Sequence, residues 1–235
     1  MRTWVQQIPL EGKTVASIRA LVVESEPPQD DTPVLLFLHG KSEASQYLNE
    51  LPLVCNHLSP PFQVILGRLG NVVVVAPQAP HSPNDRWNWR SYTTDLGRFL
   101  TTRFGRRTLL ATGFSRGGLG VLQLARDFPD LISKWAIIDP QRAADDTEEQ
   151  ALLPAPVPCN EGWLRYGRGI PENEPFGYRL NNALNPRNSR FVAMGHGELA
   201  LAAYCGERLE GPENLYEFLH LDYQAELDGQ AENSG

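Results

Sequence analysis

The chain has 235 residues, 41% apolar and 21% charged, with 20 Gly and 19 Pro. That balance excludes a disordered, collagen-like or coiled-coil protein and suits one domain, 1–235, able to bury a real core. A formal charge of −7 argues against a nucleic-acid partner, whose binding rests on neutralising phosphates, and weakly against anionic membrane surfaces.

The elements follow in chain order. The first residues, Met1 to Gln7, carry no apolar signal core, and no run of about 18 apolar residues exists to span a membrane. Ala16–Val23 reads as a strand. Val34–Leu38 is apolar on both faces, the mark of a central parallel strand, and ends in His39-Gly40. A helical segment is expected over Ala44–Leu58, interrupted by Pro52. Val72–Ala76 is a second buried strand, because four successive valines favour strand over helix.

Tyr92, Leu96, Phe99 and Leu100 share one face of a helix that stops near Gly105. Thr108–Gly113 is a third buried strand. The next helix places Gly118, Val121, Leu122 and Ala125 on one stripe and ends before Pro129. Trp135–Asp139 is a fourth buried strand. This rhythm implies βαβ units and a mostly parallel sheet of about eight strands, with helices on both faces. Residues 141–189 break it: acidic first, then rich in Pro, Gly and Asn, and they read as a lid-like excursion. Phe191–Gly195 reads as a short strand, Leu199–Leu209 as a helix and Leu215–Leu221 as a last strand. Residues 230–235 are expected to be a frayed tail.

Three cysteines (Cys55, Cys159, Cys205) form no disulfide framework, and no C-x-x-C pair suggests zinc. No metal or cofactor is therefore expected, and a reducing, cytoplasmic setting is the simpler reading.

The sharpest chemical signal is Gly113-Phe114-Ser115-Arg116-Gly117-Gly118. A serine on a tight strand-to-helix turn has strained backbone, and bulky residues two positions away would clash; Gly113 and Gly117 relieve that crowding. A buried strand precedes it and a helix follows. The plainer reading is a βα turn in which Ser115 caps a helix.

From Val34 to Asp139 the sequence resembles the α/β-hydrolase superfamily. His39-Gly40-Lys41-Ser42-Glu43-Ala44-Ser45 is similar to the H-G-x-G-E-x-G of small esterases and predicted peptidases. Val75-Ala76-Pro77-Gln78-Ala79-Pro80 with Trp87 resembles their V-x-P-Q-x-P…W block. Within the superfamily the chain looks most like the compact feruloyl-esterase, phospholipase and polyhydroxybutyrate-depolymerase-like branch. The resemblance implies an ester or thioester hydrolase acting on a small molecule through an acyl-enzyme on Ser115. It implies an oxyanion hole built from the backbone N–H groups of Lys41 and Arg116, with His39 tying its loop.

The remaining partners depart from the family pattern. The chain order expected is serine, acid, histidine. Where relatives show H-G-x-x-D, this chain reads His196-Gly197-Glu198-Leu199-Ala200. The acid is then Glu198, in the same loop, or Asp139, at the end of the preceding strand. Only His196 and His220 follow Ser115. His220, at the end of the expected last strand, is the preferred base; His196 stands where the family's histidine is usually structural. A chain without a base would be a ligand- or partner-binding relative of the same fold. Trp87, Trp89, Trp163, Tyr166, Phe176 and Tyr178 suit either an apolar or aryl cleft or an ordinary core. Lys41 and Arg116 could attract an anionic substrate or be surface charges. The oligomeric state is not legible.

Overall fold

A computed structural model describes residues 1–13, 15–25, 29–80, 89–140, 161–167, 180–181 and 188–225. The proposed lid is therefore largely outside the described residues, as are Trp87, Phe176, Tyr178, Cys159 and the tail.

Eight strands form one sheet: β1 (Arg2–Pro9), β2 (Ser17–Glu24), β3 (Val34–Leu38), β5 (Val73–Gln78), β6 (Leu109–Phe114), β7 (Lys134–Ile138), β8 (Gly162–Tyr166) and β9 (Asn188–Phe191). Their spatial order is β1-β2-β5-β3-β6-β7-β8-β9. The β1–β2 and β2–β5 pairs are antiparallel; every pair from β5 to β9 is parallel. A separate two-stranded ribbon joins β4 (Leu69–Gly70) to β10 (Asp222–Tyr223).

The double-sided apolar runs explain the two cores. Alternate residues of β3, Leu36 and Leu38 against Leu35 and Phe37, go to opposite faces. One face packs on α2 (Thr93–Phe104) and α3 (Arg116–Asp127), through Leu96, Leu100, Val121 and Leu122. The other packs on a 3₁₀ stretch, Leu48–Leu58, and on α1 (Pro60–Ile65), α4 (His196–Tyr204) and α5 (Leu215–Leu219). The chain leaves β3 toward one face and β6 toward the other. A crevice therefore opens between the C-terminal ends of these two neighbouring strands, the usual position of a ligand site in an open α/β sheet.

Several expectations need correction. Arg2–Pro9 is a strand that the polar, unalternating sequence hid. Gly162–Tyr166 lies inside the expected excursion yet is a fully buried strand. Its Arg165 is completely buried: Nε donates to Leu209 O at 2.6 Å, and the other nitrogens reach Leu164 O and Asn188 O and Oδ1. Its guanidinium carbon lies 4.0 Å from the Trp163 ring centroid. Burial lowers its pKa to about 10, so it stays charged at neutral pH. The helical segment expected over Ala44–Leu58 is a 3₁₀ stretch over Leu48–Leu58, broken at Asn56 and His57. The expected strand Leu215–Leu221 is instead the helix α5 followed by β10. Asn214 caps that helix, with its side chain accepting from the N–H groups of Tyr216 and Glu217, while Glu217 returns to the Asn214 N–H. This reciprocal cap overrides the β-like run.

Close packing leaves little freedom at the small residues. A Cβ at Gly162 would lie 2.2 Å from Cζ2 of the buried Trp135. Gly162→Ala should therefore destabilise the protein by about 1–3 kcal/mol through overpacking, read as a lowered urea midpoint with an unchanged m-value.

Candidate active site

The crevice holds the glycine-flanked serine. Ser115 ends β6 and begins α3 with φ 56° and ψ −122°. That left-handed backbone stores strain, of order 1–3 kcal/mol, and persists only where packing enforces it. The enforcement is visible on both sides. A Cβ at Gly113 would meet the Gly117 carbonyl carbon at 2.4 Å, and one at Gly117 would meet Leu38 O at 1.8 Å. The Ser115 N–H donates to Ile138 O at 3.0 Å, and its carbonyl accepts from the Gly118 N–H. Ser115 itself is 2% exposed.

The loop after β3 lies against this turn. A Cβ at Gly40 would sit 3.3 Å from Ser115 Cβ. His39 is fully buried: its Nδ1 bonds Gly40 O at 2.6 Å and its Nε2 accepts from the Ala79 N–H at 3.0 Å. Those partners fix the neutral tautomer with the proton on Nδ1. Burial drives its pKa down to about 4, against the opposing pull of the Gly40 carbonyl and Glu43. Trp89 donates through Nε1 to His39 O at 3.0 Å and stacks edge-on at 4.9 Å. Trp89 is thus buried beneath the loop and does not line a cleft; Trp163 is buried as well.

Glu43, also buried, accepts from Ser42 Oγ at 2.7 Å and lies 3.5 Å from His57 Nε2. Burial raises its pKa, but the His57 and Ser42 contacts and the nearby histidines outweigh that, so the net shift is downward. Lys41 is an exposed loop residue. Arg116 is half-buried at the first position of α3, where backbone N–H groups point out of the helix start.

Asp139 follows β7, the strand beside β6, at φ 38°. It is fully buried. Its N–H donates to Arg165 O at 2.7 Å, and its Oδ1 accepts from the Gly167 N–H at 2.9 Å. Its Oδ2 bonds Nδ1 of His196. His196 opens α4, and its half-buried ring lies 4.4 Å from that of Phe114, the residue before Ser115. Ser115, Asp139 and His196 therefore lie at the same end of the sheet, each just beyond a strand or at a helix start.

The preferred base, His220, does not reach this place. It is the left-handed C-cap of α5, and its Nε2 lies 3.2 Å from Lys134 Nζ. Lys134 starts β7, four residues before Ile138, or about 13 Å along the strand. The ribbon that follows His220 pairs Asp222 with Gly70, ahead of β5. His220 thus belongs to the opposite end of the sheet because Leu215–Leu219 is a helix. Glu198 is corrected too: its carboxylate accepts from the Gly195 N–H at 3.2 Å and caps the start of α4. Among the described residues, the carboxylate that reaches His196 is that of Asp139. The sequence signal for this was Asp139 ending a buried strand and His196 following a short strand at the sheet edge.

Among the described residues no three His, Cys, Asp or Glu side chains are placed to hold a metal ion, and no helix is long and apolar enough to cross a membrane.

Neither a protein-family profile nor a curated protein sequence matches the chain. Solved structures do. A thermostable esterase superposes with a TM-score of 0.61 at 17% identity, over 93% of this chain and 63% of its own. The chain thus spans under two thirds of that esterase's length. The dienelactone hydrolase of Anabaena variabilis gives 0.58 at 15% identity, over 86% of this chain and 93% of its own. The chain has the α/β-hydrolase fold. EstE1, a thermophilic carboxylesterase cloned from a metagenomic library, shares it with a TM-score of 0.55 at 17% identity, over 85% and 82% of the two chains.

His39 makes stability pH-dependent. With its folded-state pKa near 4 and an unfolded value of 6.5, the unfolded chain binds the extra proton between those limits. Stability is then full above about pH 6.5 and falls by roughly 3 kcal/mol as pH drops toward 4. Glu43, held below its ordinary range, adds loss in the same direction at the acid end. Unfolding midpoints across pH 4–7 should show this decline, and NMR titration should find one histidine neutral down to about pH 4.

Proposed function

We propose that the protein is a serine hydrolase that cleaves a small carboxylic ester or thioester through an acyl-enzyme on Ser115. The carrying observation is the bond between Asp139 Oδ2 and His196 Nδ1, with the His196 ring against the residue that precedes the strained serine. A serine hydroxyl is a weak nucleophile until a base takes its proton, and the base must be held in one tautomer by a third group. Asp139 is suited to that task, because the Gly167 N–H fixes its other oxygen.

In this reading Ser115 Oγ attacks the substrate carbonyl while His196 Nε2 accepts the hydroxyl proton. The tetrahedral oxyanion faces the backbone N–H groups of Lys41 and Arg116, each worth roughly 10²–10³ in rate. Collapse breaks the ester or thioester bond, and His196 returns its proton to the departing oxygen or sulfur. Water, deprotonated by His196, then attacks the acyl-enzyme and releases the acid and Ser115. His39 moves no proton here; it holds the oxyanion loop. That the structural neighbours are named esterase, carboxylesterase and dienelactone hydrolase supports ester hydrolysis in general.

The test is labelling with a fluorophosphonate and location of the adduct by mass spectrometry. Wild-type protein should be modified at Ser115. Ser115→Ala and His196→Ala should each lower kcat for a p-nitrophenyl ester by at least about 10⁴-fold, as for triad residues that act as a unit. His220→Ala should keep the wild-type kcat/KM. Folded wild-type protein that resists labelling would refute the hydrolase.

A further inference from the structure

A further imidazole–carboxylate pair, Glu43 with His57, stands beside the serine and has no part in the triad. Glu43 is buried in the loop after β3. A Cβ on Gly40 would lie 3.2 Å from Glu43 Oε2 and 3.3 Å from Ser115 Cβ, so the carboxylate and the serine border the same methyl-sized gap. Lys41, whose N–H is assigned to the oxyanion, is two residues away in the same loop. Burial pushes the Glu43 pKa up, but the contacts to His57 and Ser42 and the charge of the histidines outweigh it. Glu43 is therefore a carboxylate at neutral pH. Left unbalanced, a negative charge in this place opposes the oxyanion that forms on acylation.

Among the described residues, few groups can balance it. Ser42 Oγ donates to Oε1 at 2.7 Å but brings no charge, and the buried Oε2 accepts no hydrogen bond. His39 Nδ1 is 4.0 Å away, yet it is turned to Gly40 O, and its ring is neutral down to about pH 4. His57 Nε2 lies 3.5 Å from Glu43. The 3₁₀ stretch breaks at Asn56, and His57 and Leu58 follow with φ 56° and 50°, a left-handed pair that non-glycine residues adopt only where packing enforces it. The His57 ring packs edge-on against Phe114, with centroids 5.3 Å apart, and a Cβ at Gly197 would lie 3.6 Å from its Cε1. Its side chain is 32% exposed and borders an open groove, so it can exchange protons with solvent while buried Glu43 cannot. Around it, α1 and β5 carry no titratable side chain. Arg19 of β2 donates to Gln46 O, Glu50 accepts from Ser45 Oγ, Cys55 is kept neutral by burial, Glu198 caps α4, and His196 stands across Phe114.

We propose that His57, as the imidazolium, is the counter-charge of Glu43 in the reacting enzyme. The inference rests on the hydrolase reading above. The reaction then needs two histidines in opposite protonation states. His196 must be neutral to take the serine proton, and His57 must be charged to balance the carboxylate beside the oxyanion. His57 is a positioning residue in this scheme: it acts through Glu43 and needs no contact with the substrate.

The experiment measures kcat/KM for p-nitrophenyl acetate from about pH 5 to about pH 9. It compares wild type, Glu43→Gln, His57→Gln and the double variant, with the fold followed by urea midpoint. The wild-type profile should be bell-shaped, with an acid limb from His196 and an alkaline limb from His57. Glu43→Gln should abolish the alkaline limb, because without the carboxylate no counter-charge is required. His57→Gln should lower kcat/KM at neutral pH by at least about tenfold, the scale of one uncompensated charge near the reacting atoms. Adding Glu43→Gln to it should restore most of that loss. A pair with a merely structural role gives the reverse, a double variant no better than His57→Gln, and that result overturns the proposal. So does an alkaline limb that survives in Glu43→Gln, a comparison that does not depend on His57→Gln folding. A wild-type profile without an alkaline limb overturns it with no variant at all. Absence of fluorophosphonate labelling at Ser115 in the folded wild type would instead remove the hydrolase reading beneath it.

Discussion

Between Gly117 and the carbonyl of Leu38 there is no room for a methyl group. That contact presses the start of α3 against the C-terminal end of β3. It forces Ser115 into a left-handed turn and brings the serine beside the loop that follows His39. The strain at Ser115 and its nearness to that loop share this one steric origin. The rest of the site is arranged around it by two neighbouring strands, with β7 delivering Asp139 next to the turn and β8 holding that aspartate through Gly167.

Electrostatics complete what sterics begin. Among the described residues, imidazoles meet carboxylates here in different settings. His196 meets a fully buried carboxylate, and its own ring remains partly open. His57 meets Glu43 beneath the loop that follows β3. His39 lies deeper than either, and its buried neutral ring serves as a backbone tie: one nitrogen on Gly40, the other on Ala79.

The sequence made the centre of the sheet legible and its margins much less so. β3, β5, β6 and β7 declared themselves as runs apolar on both faces, and Ser115 by its two glycines. β8 escaped because its five residues include an arginine, and only the structure supplies the carbonyls that make a buried Arg165 tolerable. The same limit hid which histidine lies near Ser115. Leu215–Leu219 resembles a strand in composition, so His220 seemed to end one. The decisive local signal was Asn214 with Glu217 three residues later, a reciprocal helix cap that turns His220 toward Lys134. The acid could be narrowed to Glu198 or Asp139 but not chosen, because the choice depends on which carboxylate lies across the gap from His196. That is a relation between segments 57 residues apart, and no local pattern encodes it.

The arrangement also distributes mechanical risk unevenly. Ser115 and Asp139 leave adjacent central strands, each braced on both sides. His196 arrives from beyond β9, a four-residue strand at the sheet's edge. Arg165 rivets that edge by gripping Asn188 and the carbonyl of Leu209, on either side of α4. Edge units with few partners open at lower free energy than the core that carries them. His196 is thus braced from the edge by β9 and Arg165 and from the core by the buried Leu199, Ala200 and Ala203 of α4.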